Sequence, residues 1–527
     1  FWRSSGGRRL VTMSPTNKLA SVIVSATALL FQTCDAFLPG LSMERKLVKP
    51  SSTKIRMTSD EGWLEELRAS EGGKGGPEGG FQLKGFGKGP KDPKIVENDA
   101  LLEWLTDKGV YVQDKSDWGQ APHALAVSID TADELDQEPS GRGMLARYDI
   151  KEGDELFCLP LEITLNKKAA QKEFGKSIIH DGLSEYFAIA ILLIKERSKG
   201  ADSFWKPYID VLPSLEEVNP TVVWSEDELA ALEGSPLVSA TLSLRLKLQK
   251  EFETLQQDIF SKHPDLFPPE VFNLDSYRWA FVILFSRAIC LNGLEGGPQV
   301  ALVPYADLFN HNPFASSFID AQSKGGWFTE TKEEVVVYAD RSYKKFEQVF
   351  ISYGQKSNLE LLLLYGFALD RNPYNAVDLT VVLPESDPLF EGKRAFLATK
   401  GLKPEMEFPV YNDRYPDELL QFLRLVCLTP EQKGNRDFGA FTFAELICAE
   451  NELDVLQLIR EACKDSLGAY PTTEQEDTAV MSDFQMFKIL PQSMRMAIKA
   501  RRQEKRILQR TITAVEREKE KILLTLV

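Results

Sequence analysis

The sequence is poor in the residues that build metal sites and disulfide scaffolds. Its six cysteines, Cys34, Cys158, Cys290, Cys427, Cys448 and Cys463, are scattered, and no two form a C-x-x-C pair. That spacing argues against a zinc site or a disulfide framework and suggests a mature protein in a reducing compartment. The four histidines, His123, His180, His263 and His311, are just as dispersed, so no structural metal is implied. Basic charge is also in deficit: 62 Lys and Arg stand against 78 Asp and Glu, a net charge of −16. A chain that grips phosphates normally carries a basic footprint, so nucleic acid is not an expected partner. The apolar run Leu19 to Phe31 is too short for a comfortable membrane span.

What is present suggests several domains. A chain of 527 residues with 43% hydrophobic content can supply more than one core. Residues before Met13 have the character of read-through upstream of a start codon. Lys18 and Leu19 to Phe31 have the shape of a signal-peptide core, and Leu38 to Met57 is rich in Ser, Thr, Lys and Arg with Glu44 its only acid, as in a transit peptide. Residues 1–60 are therefore read as a leader. Glu71 to Pro93 is rich in Gly, Lys and Pro with little to bury, so 61–94 is read as a linker.

The fold is expected to begin at Ile95, where Ile95, Leu101, Leu102 and Leu105 lie at helical spacing before a stop at Gly109. Ala126 to Asp130 reads as a strand, and Ser140 to Asn166 as short β runs punctuated by Gly141, Gly143 and Gly153. Lys167 to Leu291 reads mainly as helices, with Leu183 to Glu196, Leu237 to Phe260 and Leu274 to Leu291 the clearest. Strand character resumes at Val300 and ends with Ala376 to Leu383. Glu418 to Leu428, Phe441 to Cys463 and the stretch after Pro491 are again helical. In the last, Met494, Ile498, Leu508, Ile512 and Val515 form a stripe that Arg501 and Lys505 interrupt, which favours a packing face over a coiled coil. The expected class is α+β: a β-rich domain at 95–375, split by a helical insertion at about 167–291, followed by an all-α domain at 376–527.

The chemistry concentrates between Val303 and Phe367. VPYADLFNHNP places Asp307, Asn310 and His311 beside a Pro-punctuated turn, and ISYGQKSNLELLLLYGF sets Tyr353 at a strand end before a helix that Ser357 or Asn358 could cap. Singly, each residue has an ordinary explanation. Gly141 and Gly143 suit turns, His311 could satisfy a loop, Arg287 could form a structural ion pair, and Tyr353 and Tyr365 could be core aromatics.

Together the GRGMLA segment, the helix ending SRAICL, the ADLFNH turn and the SYG-x-x-SN-x-E segment resemble SET-domain protein methyltransferases. The nearer match is the branch typified by the plant Rubisco large-subunit lysine methyltransferase, with its helical insertion and helical substrate-binding domain. That domain is similar to DRYPDELLQFLRLVCL and to Tyr470–Asp477 here. The resemblance implies S-adenosylmethionine as cofactor and a protein lysine as substrate. It implies that the backbone of Ser140, Gly141 and Arg142 lies along the cofactor, with Gly143 allowing close approach. It further implies Arg287 on the cofactor carboxylate, Asn310 on its methionine portion, His311 at the adenine through its backbone, Asp307 and Tyr365 near the substrate lysine, and Tyr353 as the catalytic phenol. The leader resembles the bipartite leader of algae with complex plastids, which implies a plastid address.

The chemistry itself is an in-line displacement at a sulfonium by a neutral amine, with water held away. A free lysine titrates near ~10.4, so desolvation and the sulfonium charge must favour deprotonation. The chain departs from the branch at Leu291, where a second basic residue is expected, in a longer loop after Asn292, and in the pocket aromatic expected between His311 and Glu334. Ala306 stands where actin-histidine methyltransferases carry Trp before the motif aspartate, which favours lysine over histidine. A histidine methyltransferase and a SET-derived module that binds a partner without catalysis stand as alternatives. The target, whether Rubisco or a plastid aldolase, the number of methyl groups added and the oligomeric state are not set by the sequence.

Overall fold

A computed structural model describes residues 92–525, except 111–123, 134–136, 293, 295–296, 317–318 and 325–331. The leader and nearly all of the linker lie outside the described residues. The chain opens on helix α1 (Pro93–Asp107), which the Asp92 side chain caps by accepting from Lys94 N, with Pro at the start of the helix. Strands β1 (Leu125–Ala132), β2 (Pro139–Ala146), β3 (Glu155–Pro160) and β4 (Leu165–Asn166) follow.

The insertion comprises α2 (Lys167–Phe174), α3 (Glu185–Lys199), α4 (Lys206–Val211), α5 (Leu215–Val218), α6 (Glu226–Ala230), α7 (Pro236–Asp258) and α8 (Leu274–Arg287). In α3 every residue from Ala188 to Ile194 is buried, so this helix is apolar all round and sits in the core. Helix α8 stops at Arg287, four residues short of the expected Leu291. Ala288 is extended, and β5 (Ile289–Leu291) pairs with β6 (Gln299–Leu302). Sheet pairing there outweighs the helical spacing of a short apolar run.

Strands β7 (Asn310–His311), β8 (Ile319–Lys324), β9 (Lys332–Tyr338) and β10 (Gln348–Ile351) complete three small sheets, ordered β1-β2-β10-β7, β3-β9-β8 and β4-β6-β5. The β7–β10 pair is parallel, with Asn310 opposite Phe350 and His311 opposite Ile351. This pairing brings the two halves of the Val303–Phe367 motif together. Beyond it, Ser357 caps α9 (Asn358–Glu360) through a reciprocal capping box with Glu360, and a π turn over Leu361–Tyr365 ends at Gly366 with φ +79°.

The C-terminal part contains β11 (Ala376–Val382), α10 (Phe390–Thr399), β12 (Glu405–Tyr411), α11 (Asp417–Cys427), α12 (Pro430–Lys433), α13 (Ala449–Gly468), α14 (Glu474–Ser482), α15 (Phe484–Ile489) and α16 (Gln492–Thr525). It is helical but not all-α: β11 and β12 form an antiparallel ribbon. In β12, Phe408 and Val410 point to the core and alternate with less buried residues, a period too short-lived to read against the flanking helices. Helix α13 starts at Ala449 rather than near Phe441, with the Cys448 thiol accepting from Asn451 N as its cap.

Two apolar cores result. One runs from Leu101 to Ala368, and the second from Val377 to Val515. Helix α16 serves both, giving Met496, Ala497 and Ala500 to the first and Ile507, Leu508 and Val515 to the second. Its interrupting charges are paired. Arg501 and Lys505 both meet the buried Asp477, and Arg501 also donates to the Ala231 carbonyl of the insertion at 2.7 Å. A charge buried with its partners makes a packing face that a heptad pattern does not describe.

Candidate active site

Around the β7–β10 pair lies a cavity of about 470 Å³. Its lining includes Ser140, Gly141, Arg142, Arg287, Asp307, Asn310, His311, Tyr353 and Tyr365. Nine of the ten residues expected at the site therefore share one cavity; Gly143 does not line it. A Cβ at Gly143 would stand 2.6 Å from Asn310 Nδ2 and 2.8 Å from both Gln348 Oε1 and Thr131 Cγ2. The close approach that Gly143 permits is thus to the side chain of Asn310 and its neighbours.

Those neighbours fix the amide. Asn310 Nδ2 donates to Thr131 Oγ1 and Gln348 Oε1, each at 2.9 Å. The single Thr131 hydroxyl proton goes to the Gly141 carbonyl at 2.9 Å, so Thr131 can only accept from Asn310. With both amide protons spent, the Asn310 carbonyl oxygen is the atom left to meet a ligand. The β1–β2 register is irregular on both sides of Thr131.

Arg142 lines the cavity, and its guanidinium is held by α1 and α4. It pairs with Glu97, donates to Asn98 Oδ1 at 3.1 Å and donates to the Val211 carbonyl at 2.9 Å. Gly141 has φ +69° with open space where a Cβ would be, so its need for glycine is conformational.

Aromatic stacking orders the other wall. The Tyr353 ring stacks on His311 at 4.9 Å and on Tyr365 at 5.1 Å between centroids. The Tyr353 hydroxyl donates to the Phe309 carbonyl at 2.7 Å, and its backbone N–H donates to His311 Nδ1 at 3.1 Å. The imidazole proton therefore sits on Nε2, and burial depresses the His311 pKa to about 4. Burial raises the Tyr353 phenol to about 12 and moves Tyr365 upward as well. Both phenols are protonated at neutral pH.

Arg287, at the end of α8, donates from Nη1 to the Asp307 main-chain carbonyl at 2.7 Å and lies 3.5 Å from Asp307 Oδ2. Burial raises the Asp307 pKa, and the Arg287 charge opposes that shift. Arg287 Nε and Asp307 Oδ1 are buried without a hydrogen-bond partner among the described residues. The open Arg287 Nε suits a ligand carboxylate and the open Asp307 Oδ1 a ligand ammonium, and the cavity volume suits a nucleoside-sized molecule. The residues present thus fit an amino-acid nucleoside cofactor.

Sequence reasoning missed several contributors. Tyr208 of the insertion donates to Asp307 Oδ2 at 2.7 Å, and Thr131 and Gln348 hold Asn310. Arg495 and Met496 bring α16 to the cavity, where Glu138, just before Ser140, accepts from Arg495 at 3.1 and 3.2 Å and pairs with Lys499 at 3.1 Å. None of these stands in a local motif. The α16 stripe is interrupted in sequence by Arg501 and Lys505, which lie beyond the cavity, so it does not point to Arg495 or Lys499.

The SET domain family model matches residues 141–354, and the Rubisco LSMT substrate-binding model matches residues 384–508. The [fructose-bisphosphate aldolase]-lysine N-methyltransferase, chloroplastic, of Arabidopsis thaliana is 32% identical over 428 residues, covering 79% of this chain and 82% of the relative. The Rubisco large subunit N-methyltransferase, chloroplastic, of Pisum sativum is 33% identical, covering 78% and 80%. The human actin-histidine N-methyltransferase is 26% identical, covering 79% and 68%. A crystal structure of the SET domain of LSMT bound to lysine and AdoHcy superposes with a TM-score of 0.67 at 29% identity, covering 82% of this chain and 93% of that one. The structure of Rubisco LSMT bound to AdoMet gives 0.65 at 29% identity. The chain belongs to the SET-domain protein-lysine N-methyltransferases that carry a Rubisco LSMT-type substrate-binding domain, and its cofactor is S-adenosylmethionine.

Proposed function

We propose that this enzyme methylates a lysine of a plastid protein, of the Rubisco large-subunit or aldolase type, with Tyr353 as the residue that orients the amine. The observation that carries the site assignment is the fixed phenol: Tyr353 is stacked between His311 and Tyr365 and bonded to the Phe309 carbonyl. When bound, the cofactor would supply an activated methyl group for transfer. Since its proton is committed to Phe309, the Tyr353 oxygen is free to accept an N–H of the incoming amine and to point the nitrogen lone pair along the transfer axis. A phenol held protonated by burial orients and does not act as base. Deprotonation of the lysine follows from its desolvation in the aromatic wall.

The remaining roles divide by charge. Arg287 takes the cofactor carboxylate and Asn310 its methionine portion, while the backbone of Ser140, Gly141, Arg142 and His311 lines the nucleoside. Asp307 and Tyr365 stand on the substrate side, and Gly143 acts by making room for Asn310. The functional boundary is drawn at 375/376, with the SET portion before it and the substrate-docking portion after it. A plastid address is inferred from the bipartite character of the leader and from the chloroplastic relatives.

The test incubates the purified protein with isotope-labelled S-adenosylmethionine and a stromal extract, and then locates the label by mass spectrometry. Label on a lysine of a stromal protein is the expected result. Label on histidine would overturn the lysine assignment, and a parallel incubation with a non-plastid extract that alone yields label would overturn the compartment.

A further inference from the structure

We propose that Tyr208, on the helical insertion, is a positioning residue: its phenol fixes the Asp307 carboxylate so that one oxygen stays open for a ligand ammonium. The proposal builds on the site assignment above. Tyr208 is completely buried in α4, and its hydroxyl donates to Asp307 Oδ2 at 2.7 Å. Arg287 approaches the same oxygen at 3.5 Å while its stronger bond goes to the Asp307 main chain. Both donors thus engage one side of Asp307. The other oxygen, Oδ1, is buried with no hydrogen-bond partner among the described residues, in a residue that lines the cavity.

A buried carboxylate oxygen without a donor is costly, and it persists where a ligand satisfies it. The charge selects an ammonium as that ligand. Two ammonium groups come to a methyl-transfer cavity: the α-ammonium of the cofactor, and the target lysine before it loses its proton. A phenylalanine would fill the volume of Tyr208 equally well; the hydroxyl supplies the shorter of the two contacts that engage Oδ2, and no donor engages Oδ1 among the described residues. Among the described residues the titratable groups facing Asp307 are Tyr208 from α4, Arg287 from α8 and Tyr353 after β10. Removing the Tyr208 donor takes away a contact that favours the ionised form of Asp307, so its protonation moves to higher pH.

The experiment compares the full-length protein with Tyr208→Phe, by calorimetric binding of S-adenosylhomocysteine across about pH 5 to 9 and by steady-state methylation of the acceptor that labelling identifies. If the ammonium is the cofactor's, the variant's dissociation constant rises about 10- to 100-fold, the loss of one hydrogen bond to a charged group, and the acid limb of binding shifts upward in pH. If it is the lysine's, cofactor affinity holds, while the acceptor KM rises by a similar factor and the acid limb of kcat/KM shifts. Asp307→Asn should abolish the shifted limb in either case. Unchanged affinity and KM, or a uniform loss with no pH shift, would overturn the proposal. Failure of the unsubstituted protein to bind S-adenosylhomocysteine would instead count against the cofactor site itself.

Discussion

Replacing Gly143 by alanine tests how the site is built. The backbone at Gly143 is not in the left-handed region, so alanine brings no conformational strain of its own. Its Cβ, however, would fall 2.6 Å from Asn310 Nδ2 and 2.8 Å from Gln348 Oε1, distances that real Cβ atoms essentially never show. Asn310 and Gln348 are bonded to each other and to Thr131 and Ala132, so neither can withdraw without breaking bonds. Two lost hydrogen bonds at about 1 kcal/mol each, with about 1–2 kcal/mol of overpacking, give a destabilisation of about 3–4 kcal/mol. The Asn310 carbonyl would also leave its place, weakening cofactor binding. Urea unfolding gives the first quantity, and calorimetry with S-adenosylhomocysteine the second. Gly141→Ala is the control for stability alone: its Cβ meets no protein atom, so urea unfolding should show only the cost of φ +69°, about 1 kcal/mol. Equal losses of stability in the two substitutions, or a Gly143→Ala protein of unchanged stability and affinity, would refute the packing argument.

Tyr353→Phe keeps both ring stacks and loses the bond to Phe309, so turnover should fall about 100-fold in single-turnover assays while S-adenosylhomocysteine affinity holds. His311 is buried neutral with its pKa depressed to about 4, against about 6.5 when unfolded. The unfolded chain therefore binds the proton more readily: the stability from this group is complete above pH ~6.5 and is lost as pH falls toward ~4, by up to about 3 kcal/mol. Urea titrations of the parent and of His311→Gln over that range should show the parent losing more stability toward acid pH than the variant, by up to that amount. Asp477→Asn leaves the Arg501 and Lys505 charges short of their carboxylate in a buried setting and should cost about 3–5 kcal/mol, read by denaturant unfolding.

Elements with a strong local signal were legible from the sequence. The apolar run of α3, the strand before GRGMLA and the cap at Ser357 each depend on residues a few positions apart, and each folds as its pattern implies. Legibility failed where tertiary pairing competes with local period. Ile289 to Leu291 continues a helical spacing yet pairs with β6, and Glu405 to Tyr411 becomes a strand only because Ala376 to Val382 lies beside it. Gly143 was expected to allow close approach of the cofactor; in the fold it lies off the cavity, and the group that comes close is the Asn310 side chain, from a strand far along the chain.

By itself the sequence determined the family and most of the residues that share the cavity: the turn at Asp307–His311 and the strand end at Tyr353 are local signals, joined by the glycine-punctuated strand at Ser140 and the helix end at Arg287. Only the tertiary structure decided what holds those residues in place. Tyr208 on Asp307, Thr131 and Gln348 on Asn310, and Glu138 tied to Arg495 and Lys499 of the last helix are all contacts between segments remote in sequence. The parallel meeting of β7 with β10 is of the same kind. Side-chain period and caps are local properties that a sequence carries openly; hydrogen bonds between distant segments arise only when the chain closes on itself.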